Sequence, residues 1–296
     1  LEVALGRLNP DLQPAQLGEV VKRIVRTGGS DLLADNRDFH TLLTDGVNVE
    51  YRHSDGSVRT AQARLFDFDN PENNDFVAVN QLTVVQNDIN RRPDVVLYVN
   101  GLPLVVIELK NAADSAASLG AAFNQIQTYK QQISSLFRFN ELCVISDGLD
   151  ARVGTVTAPS ERFMAWKTID GEREAGNVPE METLARGVFD KARLLDIVRN
   201  FIVFERDGKD DAKFVKKVAA YHQYWAVNKA LGRTVTASRP DGDHRAGVVW
   251  HTQGSGKSLS MMFYAGKLIG EPALGNPTVV VITDRNDLDG QLFGTF

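Results

Sequence analysis

Two apolar runs joined by Asn100-Gly101 constrain this chain more than any other feature. Val95-Val96-Leu97-Tyr98-Val99 precedes the pair, and Leu104-Val105-Val106-Ile107 follows it. Asn-Gly accepts the positive φ angles of a type I′ turn, whose twist matches that of paired strands, so the spacing predicts an antiparallel hairpin. Asp94, after Pro93, then starts the first strand, and Glu108 and Lys110 end the second. Antiparallel pairing brings those two ends together. Side chains alternate with period two, so Glu108 and Lys110 share a face. Two carboxylates and one amine converge on a point.

That trio has a chemical use. Carboxylates are hard oxygen ligands suited to Mg²⁺, which leaves positions for water and phosphate oxygens. The metal polarises a phosphodiester and acidifies a bound water. A lysine beside it orients the water and offsets charge on the phosphate. The same residues also suit a surface hairpin with a cross-strand salt bridge, and the pattern alone leaves both readings open. Pro93-Asp94 followed by Glu108-Leu109-Lys110 resembles the PD-(D/E)xK nuclease signature. The resemblance implies Asp94, Glu108 and Lys110 as catalytic residues. It also implies metal ligation by Asp94, Glu108 and the backbone carbonyl of Leu109.

The chain has 296 residues, enough for two domains with real cores, and its 43% hydrophobic and 24% charged content is that of a soluble globular protein. No apolar run approaches the ~18 residues of a membrane-spanning helix. The single cysteine, Cys143, lies in an apolar run and reads as a small core residue; one cysteine excludes an internal disulfide. No secretion signal is visible, so the cytoplasm is the expected location. The chain begins at Leu1 inside a helical pattern and reads as a fragment. A net charge of −5 argues against a general polyanion binder. Local positive charge is expected from Arg91 and Arg92 beside the hairpin and from the later cluster Lys213, Lys216 and Lys217.

Along the chain, helical spacing predicts an amphipathic helix over 14–26, ended by Gly28-Gly29. Glu19 on it reads as a solvated residue; the nuclease resemblance implies, as the alternative, an additional acidic group of the site. A short helix over 36–43 precedes strands over 47–53 and 57–68, joined by Asp55-Gly56, and a strand over 76–85. After Lys110, the stripe Leu119, Ala122, Phe123, Ile126, Ile133 and Phe137 predicts a helix over 116–137. Gln125 and Tyr129 lie four apart on it and share a face. They resemble the Q-x-x-x-Y motif of one branch of these nucleases, which implies support of the DNA or of the active-site loop. An exposed glutamine beside a half-buried tyrosine is the plainer alternative. A buried strand is expected over 142–146. Gly, Pro and charge over 155–185 read as a linker, followed by helices over 184–204 and 213–231.

A second chemical site lies near the end. Ala246-Gly247-Val248-Val249-Trp250 reads as a buried strand, followed by His251-Thr252-Gln253-Gly254-Ser255-Gly256-Lys257-Ser258 and a helix over 259–269. Strand, glycine loop and helix are the context of a phosphate-binding loop, whose N–H groups wrap phosphates. Gly254, Ser255, Gly256, Lys257 and Ser258 would bind ATP, with Lys257 on the β- and γ-phosphates and Ser258 on its Mg²⁺. His251 stands where the strict pattern has its first glycine, a variation similar to the first motif of superfamily-two helicases. Gln223 resembles the adenine-reading glutamine of those enzymes; a helix-surface glutamine is the alternative. A second buried strand is expected over 278–282, and Thr283-Asp284-Arg285 resembles a helicase motif that touches DNA. No apolar strand ending in Asp-Glu follows Ser258, so ATP hydrolysis is not expected of these residues alone.

The order of motifs resembles the restriction and motor subunit of type I restriction-modification enzymes. Asn73-Asn74-Asp75-Phe76, Val79-Asn80-Gln81, Arg91-Arg92-Pro93-Asp94, Asn100-Gly101-Leu102-Pro103, Glu108-Leu109-Lys110-Asn111 and Tyr221-His222-Gln223-Tyr224 carry the resemblance together with the phosphate loop. It implies an α/β chain: a PD-(D/E)xK endonuclease-like domain over 1–155, a linker or helical extension over 156–205, and an incomplete RecA-like translocase domain over 206–296. The fold it implies is a mixed sheet flanked by helices, followed by the start of a parallel P-loop sheet. It further implies a Mg²⁺-dependent, ATP-coupled hydrolase acting on double-stranded DNA, with methyltransferase and specificity subunits as partners. Two alternatives stand beside it: a repair or defence helicase-nuclease without a methyltransferase, and a non-catalytic DNA-binding or docking fragment.

Overall fold

A computed structural model describes residues 1–26, 31–52, 56–111, 118–207 and 210–282. Helices α1 (Glu2–Leu8), α2 (Pro14–Val25) and α3 (Leu32–Asp45) come first. Pro14 sits in the first turn of α2, where its missing N–H costs nothing. Asp31 caps α3 by accepting from Ala34 N–H at 2.8 Å. Strands β1 (Val47–Arg52) and β2 (Val58–Ala63) pair antiparallel. The strand expected to run to 68 ends at Ala63, because Leu65 and Phe66 turn into the core as irregular chain. Gly28-Gly29, His53 and Asp55 lie outside the described residues.

The single strand expected over 76–85 is two, β3 (Phe76–Asn80) and β4 (Val84–Gln86), broken at Gln81 with φ 52°. Strand β4 turns through Asn87 and Asp88, both at positive φ, into β5 (Ile89–Arg91). The central hairpin follows as β6 (Val95–Val99) and β7 (Leu102–Leu109). Its turn residues take φ 51° at Asn100 and 83° at Gly101, as the dipeptide predicts. Register runs Leu97↔Val105 and then Tyr98↔Pro103, so Leu104 is an extra, bulged residue. The bulge lets both Leu104 and Val105 join one core while Val106 faces the other.

The helix expected over 116–137 is α4 (Leu119–Gln132) and α5 (Ser134–Phe137), interrupted at Ile133, which leaves the helical region at φ −132°. Strand β8 (Leu142–Ser146) is buried throughout and pairs parallel with β7; β9 (Ala151–Gly154) pairs antiparallel with β8. The central sheet has the order β3-β6-β7-β8-β9. A parallel pair needs a crossover, and α4 supplies it. On one face Val96, Val106, Cys143 and Ile145 pack against Ala122, Ile126, Tyr129 and Ile133. On the other, Ile107, Leu142 and Val144 meet Leu5, Val20, Ile24 and Phe39 from α1 to α3. Each fully buried aliphatic side chain is worth roughly 1.5–3 kcal/mol, so this mixed α/β sandwich holds the hairpin rigidly between two layers. Burial pushes the Cys143 thiol up to about 12, as suits a core residue.

Beyond β9, the helix expected over 184–204 is α6 (Glu180–Val188), α7 (Lys191–Asn200) and the start of β10 (Ile202–Asp207). The helix expected over 213–231 is instead β11 (Asp210–Val218), antiparallel to β10, and α8 (Tyr221–Ala237). The cause is Lys216. Its side chain is fully buried, and its ammonium bonds Asn36, Asn140 and Glu141 inside the protein. Lys217 pairs with Glu205 on β10, and Lys213 is also engaged. Of the expected basic patch, Lys216 is therefore an interior residue, while Lys213 and Lys217 stay at the surface.

Helix α9 (Lys257–Gly270) packs on α8, and Phe201 stacks between Tyr224 and Phe263 at 4.8 and 5.3 Å. The strands expected over 246–250 and 278–282 do not form. Val248, Trp250 and Ile282 are 94%, 79% and 87% exposed. A parallel strand takes its hydrogen bonds from neighbours on both sides, and none lies beside these runs among the described residues. Thr283-Asp284-Arg285 falls outside the described residues. No described helix is long and apolar enough to cross a membrane.

Candidate active site and phosphate loop

The hairpin register Val95↔Ile107 carries Asp94 to the side of Glu108. Asp94 accepts Leu109 N–H on Oδ2 at 2.8 Å and Gln81 Nε2 on Oδ1 at 2.9 Å. Glu108 and Lys110 share a face, as period two requires, and Lys110 Nζ donates to Glu108 Oε1 at 2.7 Å. The ion pair therefore runs along one strand, rather than across the hairpin. Glu108 is 3% exposed, and its Oε2 is buried without a hydrogen-bond partner. Burial raises the Glu108 carboxyl above its usual range and the Asp94 charge adds to this, while the Lys110 ammonium and the nearby Tyr129 hydroxyl, which lies by the carboxylate but donates to Arg92 O, oppose both.

Tyr129 on α4 reaches this point. Its hydroxyl donates to Arg92 O at 3.2 Å, and burial, with the Glu108 and Asp94 charges next, raises its pKa. Gln125, one turn earlier, is half-buried, and its side chain makes no hydrogen bond among the described residues. Arg91 is held by Gln132 on the same helix. Glu19 lies exposed on α2 and pairs with Lys22 at 3.1 Å. Among the described residues no cluster of three or more His, Cys, Asp or Glu could cage a metal. The hairpin instead offers two carboxylates, one with an orphaned oxygen. That donor set fits Mg²⁺, which is commonly held by one or two carboxylates with water and substrate oxygens completing the shell.

Gln81 enters the sequence reading only within Val79-Asn80-Gln81, with no role at the site, and Gln132 does not enter it. Neither carries a local signal, since each acts on a partner distant in sequence. A hollow of about 300 Å³ lined by Asp45, Gln62, Arg64, Asp67, Asp69 and Arg199 shares no residue with the hairpin site. Asp69 pairs with Arg199, Asp67 accepts the N–H groups of Asp69 and Asn70, and Asp45 accepts the Thr44 hydroxyl, so the hollow reads as a polar surface cleft.

At the candidate phosphate loop, Gly254 and Gly256 take φ 81° and 78°, and Gly256 caps α9. A Cβ at position 256 would lie 2.6 Å from Gln223 Nε2. Gln223 is 4% exposed; its Oε1 accepts Ala220 N–H, and its Nε2 donates to Gly256 O at 3.0 Å and Ser255 O at 3.4 Å. It is therefore neither a surface glutamine nor free to meet a base in this conformation. His222 Nε2 lies 3.3 Å from Ser255 O, and its ring packs edge-on against His251. Burial and the nearby His222 and Lys257 lower the His251 pKa. Lys257 donates to the carbonyls of His251 and Thr252 at 3.2 and 3.1 Å, inside its own loop, and Ser258 is half-buried at the helix start.

Comparison with known proteins decides the family. Residues 1–162 match the family described as type I restriction enzyme R protein N terminus. The chain belongs to that family. Residues 222–296 of this R-protein chain also match the SWI2/SNF2 ATPase family. It is 48% identical over its whole length to the type I restriction enzyme HindI endonuclease subunit of Haemophilus influenzae, covering 28% of that protein. It is 30% identical over 99% of its length to a putative type I restriction enzyme MjaIXP endonuclease subunit of Methanocaldococcus jannaschii, covering 29%. The chain thus spans under a third of the length of these relatives.

Proposed function

We propose that this chain carries a Mg²⁺-dependent DNA endonuclease centre of PD-(D/E)xK type, followed by the phosphate-binding start of an ATP-driven DNA translocase. The observation that carries the reading is Glu108 Oε2, buried and without a partner in hydrogen-bond geometry among the described residues, beside Asp94 and Lys110. A buried carboxylate oxygen without a partner costs free energy, and a divalent cation offsets that cost. Asp94, Glu108 and the Leu109 carbonyl would hold Mg²⁺, which when bound acidifies a water and neutralises charge on the phosphodiester. Lys110, fixed by Glu108, orients the attacking water and offsets charge on the phosphate. Tyr129 braces the segment at Arg92, and the Gln125 side chain supports the DNA beside it. The names of the relatives, all endonuclease subunits, support the same activity.

The second centre comprises Gly254, Ser255, Gly256, Lys257 and Ser258, with Gln223 behind it. Loop N–H groups and the α9 terminus suit phosphates, Lys257 the β- and γ-phosphates, and Ser258 the nucleotide's Mg²⁺. Hydrolysis and translocation belong to the full-length protein in this reading. The nuclease domain is assigned to 1–155, the extension to 156–205 and the translocase start to 206–296. Double-stranded DNA is the substrate, with methyltransferase and specificity subunits as partners in the cytoplasm.

The test is made in the full-length, assembled enzyme. Asp94→Ala, Glu108→Ala and Lys110→Ala each abolish DNA cleavage while ATP hydrolysis continues. Lys257→Ala abolishes ATP hydrolysis. Cleavage retained in any of the first three variants refutes the nuclease assignment.

A further inference from the structure

Between β3 and β6 the chain leaves the central sheet at Gln81 and re-enters it at Asp94, and these two residues close the excursion. Gln81 N–H donates to Asp94 O at 2.8 Å, and Gln81 Nε2 donates to Asp94 Oδ1 at 2.9 Å. The other carboxylate oxygen accepts Leu109 N–H at 2.8 Å. Asp94 is thus gripped from the β3 side and from β7, one donor on each oxygen. A carboxylate oxygen has two acceptor sites, so each keeps one in reserve. Gln81 holds this pose at φ 52°, in the left-handed region that residues other than Gly, Asn and Asp seldom adopt. Its surroundings must therefore enforce the conformation.

We propose that Gln81 is a positioning residue of the nuclease centre: its amide fixes the rotation of the Asp94 carboxylate so that the reserved acceptor sites are set for a divalent cation. The inference rests on the nuclease reading above. A free aspartate samples several rotamers, and cation binding must then bear the cost of ordering it. Two donors remove that cost in advance. A glutamine that merely closed the neck of the β4–β5 excursion would need only its backbone bond. The side-chain bond to Oδ1 is the part that addresses the carboxylate.

The experiment uses the full-length protein and Mn²⁺ as the probe. Gln81→Asn keeps a residue that tolerates the left-handed backbone but shortens the amide beyond reach of Asp94. Gln81→Gly removes the amide and relaxes the backbone. Mn²⁺ affinity is read by electron paramagnetic resonance, and the Mg²⁺ concentration for half-maximal cleavage is read on DNA, with melting temperature as the fold control. Expected is a rise in both metal constants of roughly 10-fold to 100-fold, the usual effect of losing a partner that orients a ligand. Unchanged metal constants in folded variants overturn the inference, leaving Gln81 as a neck residue only. Tighter Mn²⁺ binding overturns it too, making Gln81 a competitor for the cation. Asp94→Ala is the reference: if it still binds Mn²⁺ there and cuts DNA, the nuclease reading fails. If it loses both while the Gln81 variants bind normally, only the Gln81 inference fails.

Discussion

The Lys216 ammonium donates to the Glu141 carboxylate at 2.6 Å with both side chains fully buried. Glu141 also meets His40 Nδ1 at 2.9 Å, and Lys216 continues to Asn36 and to the Asn140 carbonyl. Burial alone raises the Glu141 carboxyl, but Lys216 and His40 outweigh it and hold it below its usual range. The cluster ties α3, the turn before β8 and β11 to one point.

Removing one partner strands the other as a buried charge. Lys216→Met is therefore expected to destabilise the protein by about 3–5 kcal/mol. The double variant Lys216→Met with Glu141→Gln recovers a large part of that loss. Urea denaturation midpoints of the two variants decide it; equal losses would show that the pair does not act as a unit.

Glu108 gives a prediction of opposite sign. Its folded pKa lies above the unfolded value, so the native state binds more protons between the two, and stability falls as pH rises through that window. At neutral pH the ionised, buried carboxylate is a cost. Glu108→Gln removes it, and without added metal is expected to raise the melting temperature at pH 7 by roughly 2–4 °C. The gain shrinks to nothing as pH falls below the ordinary carboxylate range. Melting curves from pH 4 to 7 check both parts. Added Mg²⁺ is expected to stabilise the unsubstituted protein more than the variant.

Gln223 spends its amide nitrogen on the carbonyls of Gly256 and Ser255. In the proposed reading, its loss is expected to act on the shape of that glycine loop rather than on a base. Gln223→Ala is expected to weaken ATP and GTP alike by roughly fivefold, the worth of about 1 kcal/mol of hydrogen bonding. Titration with fluorescent analogues of both nucleotides distinguishes this from adenine reading, in which ATP alone would weaken.

Gly187 sits inside α6, where alanine would ordinarily gain about 1 kcal/mol of helix propensity. A Cβ there, however, would lie 2.4 Å from Trp166 Cδ1 and 2.8 Å from the Thr168 carbonyl. Overpacking of this kind costs about 1–3 kcal/mol and exceeds the gain. Gly187→Ala is expected to lower the thermal midpoint, whereas Gly232→Ala, with nothing near its Cβ, is expected to raise it slightly.

What the sequence made legible is local. Asn100-Gly101 fixed its own turn and brought the open ends of β6 and β7 together, so Asp94, Glu108 and Lys110 could be placed at one end of the hairpin. The bulge at Leu104, which no local signal marks, shifts the register by one and sets Val95 opposite Ile107, and so Asp94 beside Glu108. The Ala122 and Ile126 stripe likewise needed only a helical period. The failures are long-range. Lys216 looked like a solvated residue of a helix because its partner, Glu141, lies 75 residues away. Gln81 looked like part of a continuous strand because its reason for turning, Asp94, lies beyond the β4–β5 hairpin. The apolar runs over 246–250 and 278–282 have strand composition, but composition supplies no hydrogen-bonding neighbour.

Asn100 has one more consequence, for how the protein ages. In a flexible chain, an asparagine followed by glycine is the pairing most prone to lose its amide, because the unhindered glycine nitrogen can attack the side chain. Here Asn100 is 1% exposed; its Nδ2 donates to Leu65 O and Asn74 Oδ1, and its Oδ1 accepts Asp75 N–H. Those bonds keep the side chain from swinging onto the Gly101 nitrogen. Folding therefore acts as chemical protection for the dipeptide on which the hairpin depends. Damage accumulates only in molecules that have opened, where an added carboxylate would then bar the return of that turn to its buried seat.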